Sequence, residues 1–471
     1  MNQKIDFEKI SLVHLIGIKG IGMTALAACL KDLGIKITGS DVAQEFITDQ
    51  TLKKMKLSWW ENFSSQHIKN QELVIATGSG HQGLNNPEAL AAKKKGIPYL
   101  THGQALGELM KKKVGISICG VGGKTTTSAI VATLMKEVNL KPSFAIGAAE
   151  IFPLGLPGHF EKQGKFFVAE ADEYATAKNF DHRPRFDWQN PQIVVCTNIE
   201  HDHPDIYPNL DSTKKVFKNF FEKIPNDGVL IINGDNENNQ KVIKNLNKKI
   251  LTYGEGDNNN YRIKEISLSQ GKTSFSLQYN EQKMGVFALN VPGRHNIFNA
   301  AAAIIVLRHL GVDLEKIKKA LPKFAGTKRR FEFLGKRDKK EIWDDYAHHP
   351  KQIRATLSAA KKWFGEKPIT VLFQSHTLTR TQQLIDDFAK SFDLADQVFI
   401  LPIYDAGRES GDTKKIAQRL TQKIKKKQKR VFFVPNEKIA IEKIKKIDQG
   451  IILTMGAGDV WKIGLNFLKN D

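Results

Sequence analysis

Three glycines within four residues, in Gly120-Val121-Gly122-Gly123-Lys124-Thr125-Thr126-Thr127, stand between a β-branched run, Val114 to Ile118, and a helix-like stretch, Thr127 to Val138. A strand that becomes a helix through so tight a turn commits this part of the chain to an α/β layer. It also has a chemistry. Glycines let backbone N–H groups approach phosphate oxygens, the helix N-terminus adds positive potential, Lys124 neutralises outer phosphates, and a threonine hydroxyl suits Mg²⁺. The general phosphate-loop pattern places a glycine where this chain has Ile118, so the loop alone leaves an ordinary tight turn open.

The rest of the chain extends the α/β pattern. Strand candidates Leu12 to Ile16, Ile35 to Thr38 and Val74 to Ala76 surround a helix over Gly22 to Leu33. A second series runs from the strand before Gly120 through Phe166 to Ala169, Ile193 to Cys196 and Val229 to Ile232. It changes at Leu251 to Val291 to short alternating strands, an antiparallel flank on a parallel core. A third series has strands at Ile369 to Phe373, Gln397 to Leu401, Val431 to Val434 and Ile451 to Thr454. With 471 residues the chain suits three α/β domains. They are a Rossmann-like domain over 1–108, a central P-loop ATPase-like domain over 109–322, and a Rossmann-like C-terminal domain over 323–471.

A net charge of +21 comes largely from lysine clusters such as Lys93 to Lys95, Lys111 to Lys113 and Lys423 to Arg430. No aromatic-interleaved basic stripe accompanies them, so they read as solvated helix faces and no nucleic-acid partner is expected. A positive field does favour capture of anionic small molecules. Cys29, Cys119 and Cys196 lie in apolar contexts without metal-ligand spacing, as thiols of a reducing compartment do. The first residues hold no apolar signal region and no apolar run approaches a membrane span, so a cytoplasmic protein without membrane insertion is expected. Oligomeric state is not encoded in any motif.

Gly17-Ile18-Lys19-Gly20-Ile21-Gly22 is a second glycine loop between a strand and a helix. Read as a dinucleotide fingerprint it lacks the second glycine, which is replaced by Lys19. Asp41, about 20 residues on at the end of the next strand, stands where a carboxylate meets a ribose.

Further motifs follow in order: Glu170-Ala171-Asp172-Glu173, Thr197-Asn198-Ile199-Glu200-His201-Asp202-His203, Gly293-Arg294-His295-Asn296 with Asn299, Arg329-Arg330-Phe331, and Asp344-Asp345-Tyr346-Ala347-His348-His349-Pro350. In this order, and over nearly the whole chain, they resemble the Mur ligases, ATP-dependent enzymes that add amino acids to the UDP-muramoyl precursor of peptidoglycan. The Asp-Tyr-x-His-His-Pro run, Gln374-Ser375-His376 with Thr379-Arg380-Thr381, and Gly456-Ala457-Gly458 are most similar to the member that attaches L-alanine to UDP-N-acetylmuramate.

The resemblance implies roles for individual residues. Gly17, Lys19, Gly20 and Gly22 would hold the UDP diphosphate, with Asp41 beside it and Tyr346 as a sugar contact. An ammonium at Lys19, where the family has glycine, is chemically sensible beside a diphosphate, and a lysine pointing to solvent is the other reading. Gly120, Gly122, Gly123, Lys124, Thr125 and Thr126 would bind ATP, with Asn296 and Asn299 at the adenine and Arg330 and Asp345 at the phosphates or ribose. Thr125, Glu170 and His203 would hold Mg²⁺, with Glu173 as an alternative to Glu170. His348, His376 and Arg380 would hold L-alanine and the muramoyl carboxylate, and the catalytic set would be Lys124, Glu170, His203 and His348. Lys218 stands where some Mur ligases carry a carbamylated lysine, and reads here as a solvated helix residue. Thr377 replaces the family's usual arginine, which removes one member of a carboxylate clamp. Two other functions share parts of this pattern. One is the recycling ligase of the same family, which takes a preformed tripeptide, since Glu173-Tyr174 is similar to it. The other is a P-loop ATPase acting on a macromolecule.

Overall fold

The computed structural model describes residues 5–78, 83–203, 205–269, 271–404 and 411–469. Two compact units make it up. The first comprises Met1–Ile266, Ser274–Ala288 and His295–Ala325, and the second Ser267–Thr273, Leu289–Arg294 and Gly326–Asp471.

The first unit holds two sheets. In the smaller, four parallel strands lie in the order Lys36–Ser40, Leu12–Ile16, Leu73–Ala76, Tyr99–Thr101. Gly17, at φ 78°, turns the chain out of the second of these strands, and the helix Ile21–Asp32 follows at once. A left-handed backbone there favours glycine. That helix buries Met23, Leu26, Ala27 and Leu30 in a cluster with Val13 and Leu15.

The larger sheet has ten strands. From one edge they are Gln282–Leu289, Lys272–Tyr279, Tyr261–Ser269, Ile250–Gly254, Val229–Asn233, Ile193–Cys196, Val114–Cys119, Phe166–Glu170, Ser143–Ala145 and Gly158–His159. Its centre is parallel, and Val229–Asn233, Ile193–Cys196 and Val114–Cys119 are almost wholly buried. Near-continuous apolar runs are what a sheet covered on both faces requires.

The second unit is built on a six-stranded sheet, ordered Glu332–Arg337, Lys340–Asp345, Gly450–Met455, Ile369–Phe373, Gln397–Ile400, Val431–Phe433. All its pairs are parallel except the outermost, Glu332–Arg337 against Lys340–Asp345. Helices Pro350–Phe364 and Thr413–Lys425 cover one face, and Glu437–Lys445 and Val460–Lys469 the other.

Most of the buried parallel strands fall within a residue or two of the sequence reading, but Lys340–Asp345, interrupted by charge and paired in parallel with Gly450–Met455, was missed. Also unforeseen were Glu332–Arg337, the hairpin Ala175–Ala177 with Asp181–Pro184, and the short strands at 99–101, 143–145, 151–152, 158–159 and 326–327. Those of two to four residues are too short for a period-two pattern, and Glu332–Arg337 is a half-exposed edge carrying charge. The expected limit at 108 falls inside the helix His102–Met110, and that at 322 inside the turn Leu321–Lys323. No helix among the described residues is long and apolar enough to cross a membrane.

Candidate active site

In open α/β sheets ligands bind beyond the carboxyl ends of parallel strands. The phosphate loop, Glu170 to Glu173 and Thr197 to His203 all follow such ends, on the neighbouring strands Val114–Cys119, Phe166–Glu170 and Ile193–Cys196. Gly120 and Gly123 have φ of 120° and 88°. A Cβ on Gly120 would sit 2.2 Å from Thr197 Oγ1, and one on Gly123 2.7 Å from Asn299 Oδ1, so no other residue fits either place. The loop is braced from behind. Thr197 Oγ1 donates to Gly122 O at 2.6 Å, Gly122 N donates to Asn198 Oδ1 at 2.9 Å, and Thr127 Oγ1 donates to Asn299 Oδ1 at 3.1 Å. Gly122 and Gly123 remain exposed, as backbone that meets a ligand must be.

Asn296 and Asn299 are both buried, and Asn299 Nδ2 donates to Asn296 Oδ1 at 3.1 Å. Asn299 is thus committed to the loop and its helix. Thr197 and Asn198 stood within a motif of the sequence but carried no role there, and the structure makes them the brace of the phosphate loop.

Lys124 Nζ donates to Gly120 O at 2.6 Å and to Glu173 Oε2 at 2.8 Å. Burial works against its charge, but the carboxylates of Glu173 and Asp172 outweigh it and hold the ammonium above its ordinary range. Two oxygen-rich groups flank this lysine. Glu170 accepts from Gly147 N at 2.7 Å, and burial raises its carboxyl above the usual range although Lys124, Gly147 N and the nearby Thr125 hydroxyl favour its charge. Glu173, Asp202 and His203 offer ligand atoms within 4.8 Å of one another. Glu170 and Glu173, alternatives in the sequence, therefore occupy different groups. Carboxylates and a hydroxyl are the hard donors Mg²⁺ prefers, and one imidazole in such a set is tolerable, so these residues fit that ion.

His203 carries a left-handed backbone, φ 56°, an uncommon conformation for a side-chain-bearing residue. Asp202 Oδ1 accepts from its N–H at 2.8 Å, and its ring packs edge-on against Tyr174 at 4.7 Å. His201 instead anchors its loop through Nε2 to Tyr207 O at 2.9 Å. Asp202 was missed although it lies between two histidines, which was signal enough. Lys218 is half-buried on the helix Leu210–Glu222 and is not among these groups.

At the other glycine loop the structure corrects the sequence reading. Lys19 is buried, so it neither points to solvent nor offers an exposed ammonium to a diphosphate. Its Nζ is taken by Val42 O, Gln44 O and Asp49. Asp41, also buried, accepts from Lys19 N and Val42 N at 2.8 Å each, which turns its carboxylate toward the loop backbone. Gly20 caps the helix Ile21–Asp32, and a Cβ on Gly22 would sit 2.8 Å from His102 Nε2.

In the second unit, Asp345, His376 and Gly456 lie at or just beyond strand ends. Arg329 donates through Nε to Asp344 at 3.0 Å and through its other nitrogens to Gly456 O and Ala457 O, a buried ion pair absent from the sequence reading. Arg330 is exposed, with its guanidinium 5.2 Å from the Tyr346 ring. Asp345 is buried and accepts from Phe331 N, Ala347 N and Thr356 Oγ1, so it shapes the turn that carries Tyr346 and His348. His348 and His376 come together at 5.9 Å between ring centres. Burial, with Arg380 and His376 nearby, pushes His348 down to about 3, so the ring is neutral at neutral pH. Its Nδ1 lies 3.0 Å from Tyr346 O, which assigns the proton to Nδ1 and the lone pair to Nε2. Thr377, at φ 64°, turns the chain into the helix bearing Arg380.

Three family models match successive stretches: the Mur ligase family catalytic domain over 12–114, the Mur ligase middle domain over 118–307, and the Mur ligase glutamate ligase domain over 329–458. A UDP-N-acetylmuramate–L-alanine ligase of Caldanaerobacter subterraneus is 36% identical, covering 99% of each chain. One of Alkaliphilus metalliredigens is 37% identical over 98% of this chain and 97% of its own. Among solved structures, UDP-N-acetylmuramate-alanine ligase MurC of Thermotoga maritima superposes with a TM-score of 0.83 at 27% identity, covering 98% of both chains. A murein peptide ligase of Psychrobacter arcticus gives a TM-score of 0.72 at 24% identity over 98% of both, a likeness of fold.

Proposed function

The chain belongs to the Mur ligase family, and from that premise we propose that it joins L-alanine to the carboxylate of UDP-N-acetylmuramate with cleavage of ATP to ADP and phosphate, in peptidoglycan precursor synthesis. The observation that carries the reading is Lys124 lying on its own phosphate loop between two oxygen-rich groups, in a chain alike from end to end to alanine-adding ligases.

The chemistry balances as two transfers. A carboxylate oxygen of the muramoyl group bonds to the γ-phosphorus of ATP and ADP leaves. The alanine nitrogen then bonds to the acyl carbon, inorganic phosphate leaves, and the nitrogen gives up a proton. Phosphoryl transfer needs charge neutralisation and alignment more than covalent help. Lys124 supplies a fixed positive charge, and the N–H groups of Gly120, Gly123, Thr125 and Thr126 supply donors at the helix start, while that of Gly122 is held by Asn198. Thr125 with Glu170 would hold one Mg²⁺, and Glu173, Asp202 and His203 a second. When bound, such ions neutralise phosphate charge.

Gly17, Gly20 and Gly22 form the proposed diphosphate loop. Asn296 is proposed at the adenine, Arg330 at phosphate, and Tyr346 at the sugar. His348, His376 and Arg380 are proposed to receive L-alanine, with the Nε2 lone pair of neutral His348 accepting a hydrogen bond from the amine and the released proton passing to solvent. Domain limits near 108 and 322, and a cytoplasmic location where ATP and UDP-sugar are found, belong to the same proposal.

Incubation of the protein with ATP, Mg²⁺, UDP-N-acetylmuramate and L-alanine, followed by mass spectrometry, tests it. The alanyl product should form only when all four are present, and no product with the full mixture contradicts the proposal.

A further inference from the structure

Lys19 is 1% exposed, and every polar atom it has is used. Its backbone N–H donates to Asp41 Oδ2 at 2.8 Å, and its carbonyl accepts from Thr48 Oγ1 at 2.5 Å. Its ammonium donates to Val42 O at 2.9 Å and Gln44 O at 2.7 Å, and lies 3.4 Å from Asp49 Oδ2. The rings of Phe46 and Trp59 lie 5.4 and 5.5 Å from the same nitrogen. All of these partners except Trp59 belong to residues 41–49, of which 41–48 form neither helix nor strand.

A segment without regular structure has no ladder to fix it, so its backbone carbonyls take their directions from whatever donors they meet. Here one ammonium gathers two carbonyls and a carboxylate. Both parts it joins, Gly17 to Gly22 and Asp41 onward, leave the carboxyl ends of paired parallel strands, Leu12–Ile16 and Lys36–Ser40, where an α/β sheet binds its ligand.

We propose that Lys19 is a positioning residue for the UDP-sugar: it draws residues 41–49 against the Gly17–Gly22 loop and fixes the surface on which the diphosphate and ribose rest, without touching either. This rests on the reading that UDP-N-acetylmuramate is the substrate. The charge acts from inside. Since Asp49 neutralises it and solvent does not reach it, its effect on affinity is insensitive to salt, whereas an exposed lysine on a phosphate is screened.

The test is Lys19→Met, which keeps an apolar stem between Phe46 and Trp59 and removes the three donors. Calorimetry with UDP-N-acetylmuramate should show Kd raised about tenfold, equally at low and high salt, with kcat and the KM for ATP near the parent's. Asp49→Asn, which keeps Lys19 and an oxygen acceptor, should give a smaller rise in Kd, and carries the test if Lys19→Met does not fold. Parent affinity in a folded variant overturns the proposal. An effect that shrinks with salt assigns Lys19 a direct contact and also overturns it, as does equal loss of ATP affinity, which is general loosening. A parent protein that does not bind UDP-N-acetylmuramate refutes the proposed substrate and this inference with it, whereas a binding parent with unaltered variants refutes this inference alone.

Discussion

Lys124 Nζ stands 2.8 Å from Glu173 Oε2, so the lysine of the phosphate loop is held by a carboxylate that itself lies within reach of Asp202 and His203. One side chain thus joins the proposed nucleotide contact to the proposed metal group. Lys124→Ala should lower turnover by about 10²–10³-fold or more. Binding of UDP-N-acetylmuramate should survive nearly intact, because its proposed loop leaves a different sheet. Calorimetry showing equal loss of both would undo that division of sites.

The two oxygen-rich groups predict separable metal defects. Glu170→Ala removes the partner of Thr125, and His203→Ala the imidazole beside Glu173 and Asp202. Each should raise the Mg²⁺ concentration for half-maximal activity by about tenfold or more. Titration curves matching the parent's would remove these residues from that role.

Gly147 offers a finer probe of the first group. A Cβ there would meet the Glu170 carboxylate at 3.1 to 3.3 Å, while Gly147 N already donates to it at 2.7 Å. Gly147→Ala should push the carboxylate by a few tenths of an ångström, giving a smaller rise in Mg²⁺ requirement than Glu170→Ala. A variant needing no more Mg²⁺ than the parent would show that this contact does not set the carboxylate's place.

The neutrality of His348 has a consequence for stability. Its folded value, about 3, lies below the ordinary histidine value of 6.5, so in that interval the unfolded chain binds the proton and the folded one does not. Its contribution is full above about 6.5 and falls away as pH drops toward 3. His348→Gln should flatten this part of the profile, as measured by denaturant unfolding across pH. A profile as steep as the parent's would show that His348 is not the titrating group.

Much of this was legible in the sequence where backbone chemistry is local. The buried strands Ile193–Cys196 and Ile369–Phe373 are uninterrupted apolar runs, and the phosphate loop announces itself through glycines that no other residue can replace. Charged side chains were less legible, because their surroundings are built by residues far along the chain. Lys19 looked like a phosphate contact because it stands in a glycine loop, yet its partners, Val42 to Asp49, lie more than twenty residues away. Asp345 reads as a ligand contact and is tied down by Phe331, Ala347 and Thr356. Glu170 and Glu173 could not be told apart by spacing, and separated only once Gly147 and His203 were brought to them.

Choice of amine is the centre of the account, and the direct measurement is ADP release with UDP-N-acetylmuramate held saturating and the amine varied. L-Alanine should support release with a kcat/KM well above that of glycine, L-serine or a preformed tripeptide, and omission of UDP-N-acetylmuramate should abolish it. A single methyl group in a pocket is worth about 1–3 kcal/mol, so glycine should trail by roughly 10- to 200-fold. Release driven as well by the tripeptide as by L-alanine would contradict the account and assign the chain to peptide recycling.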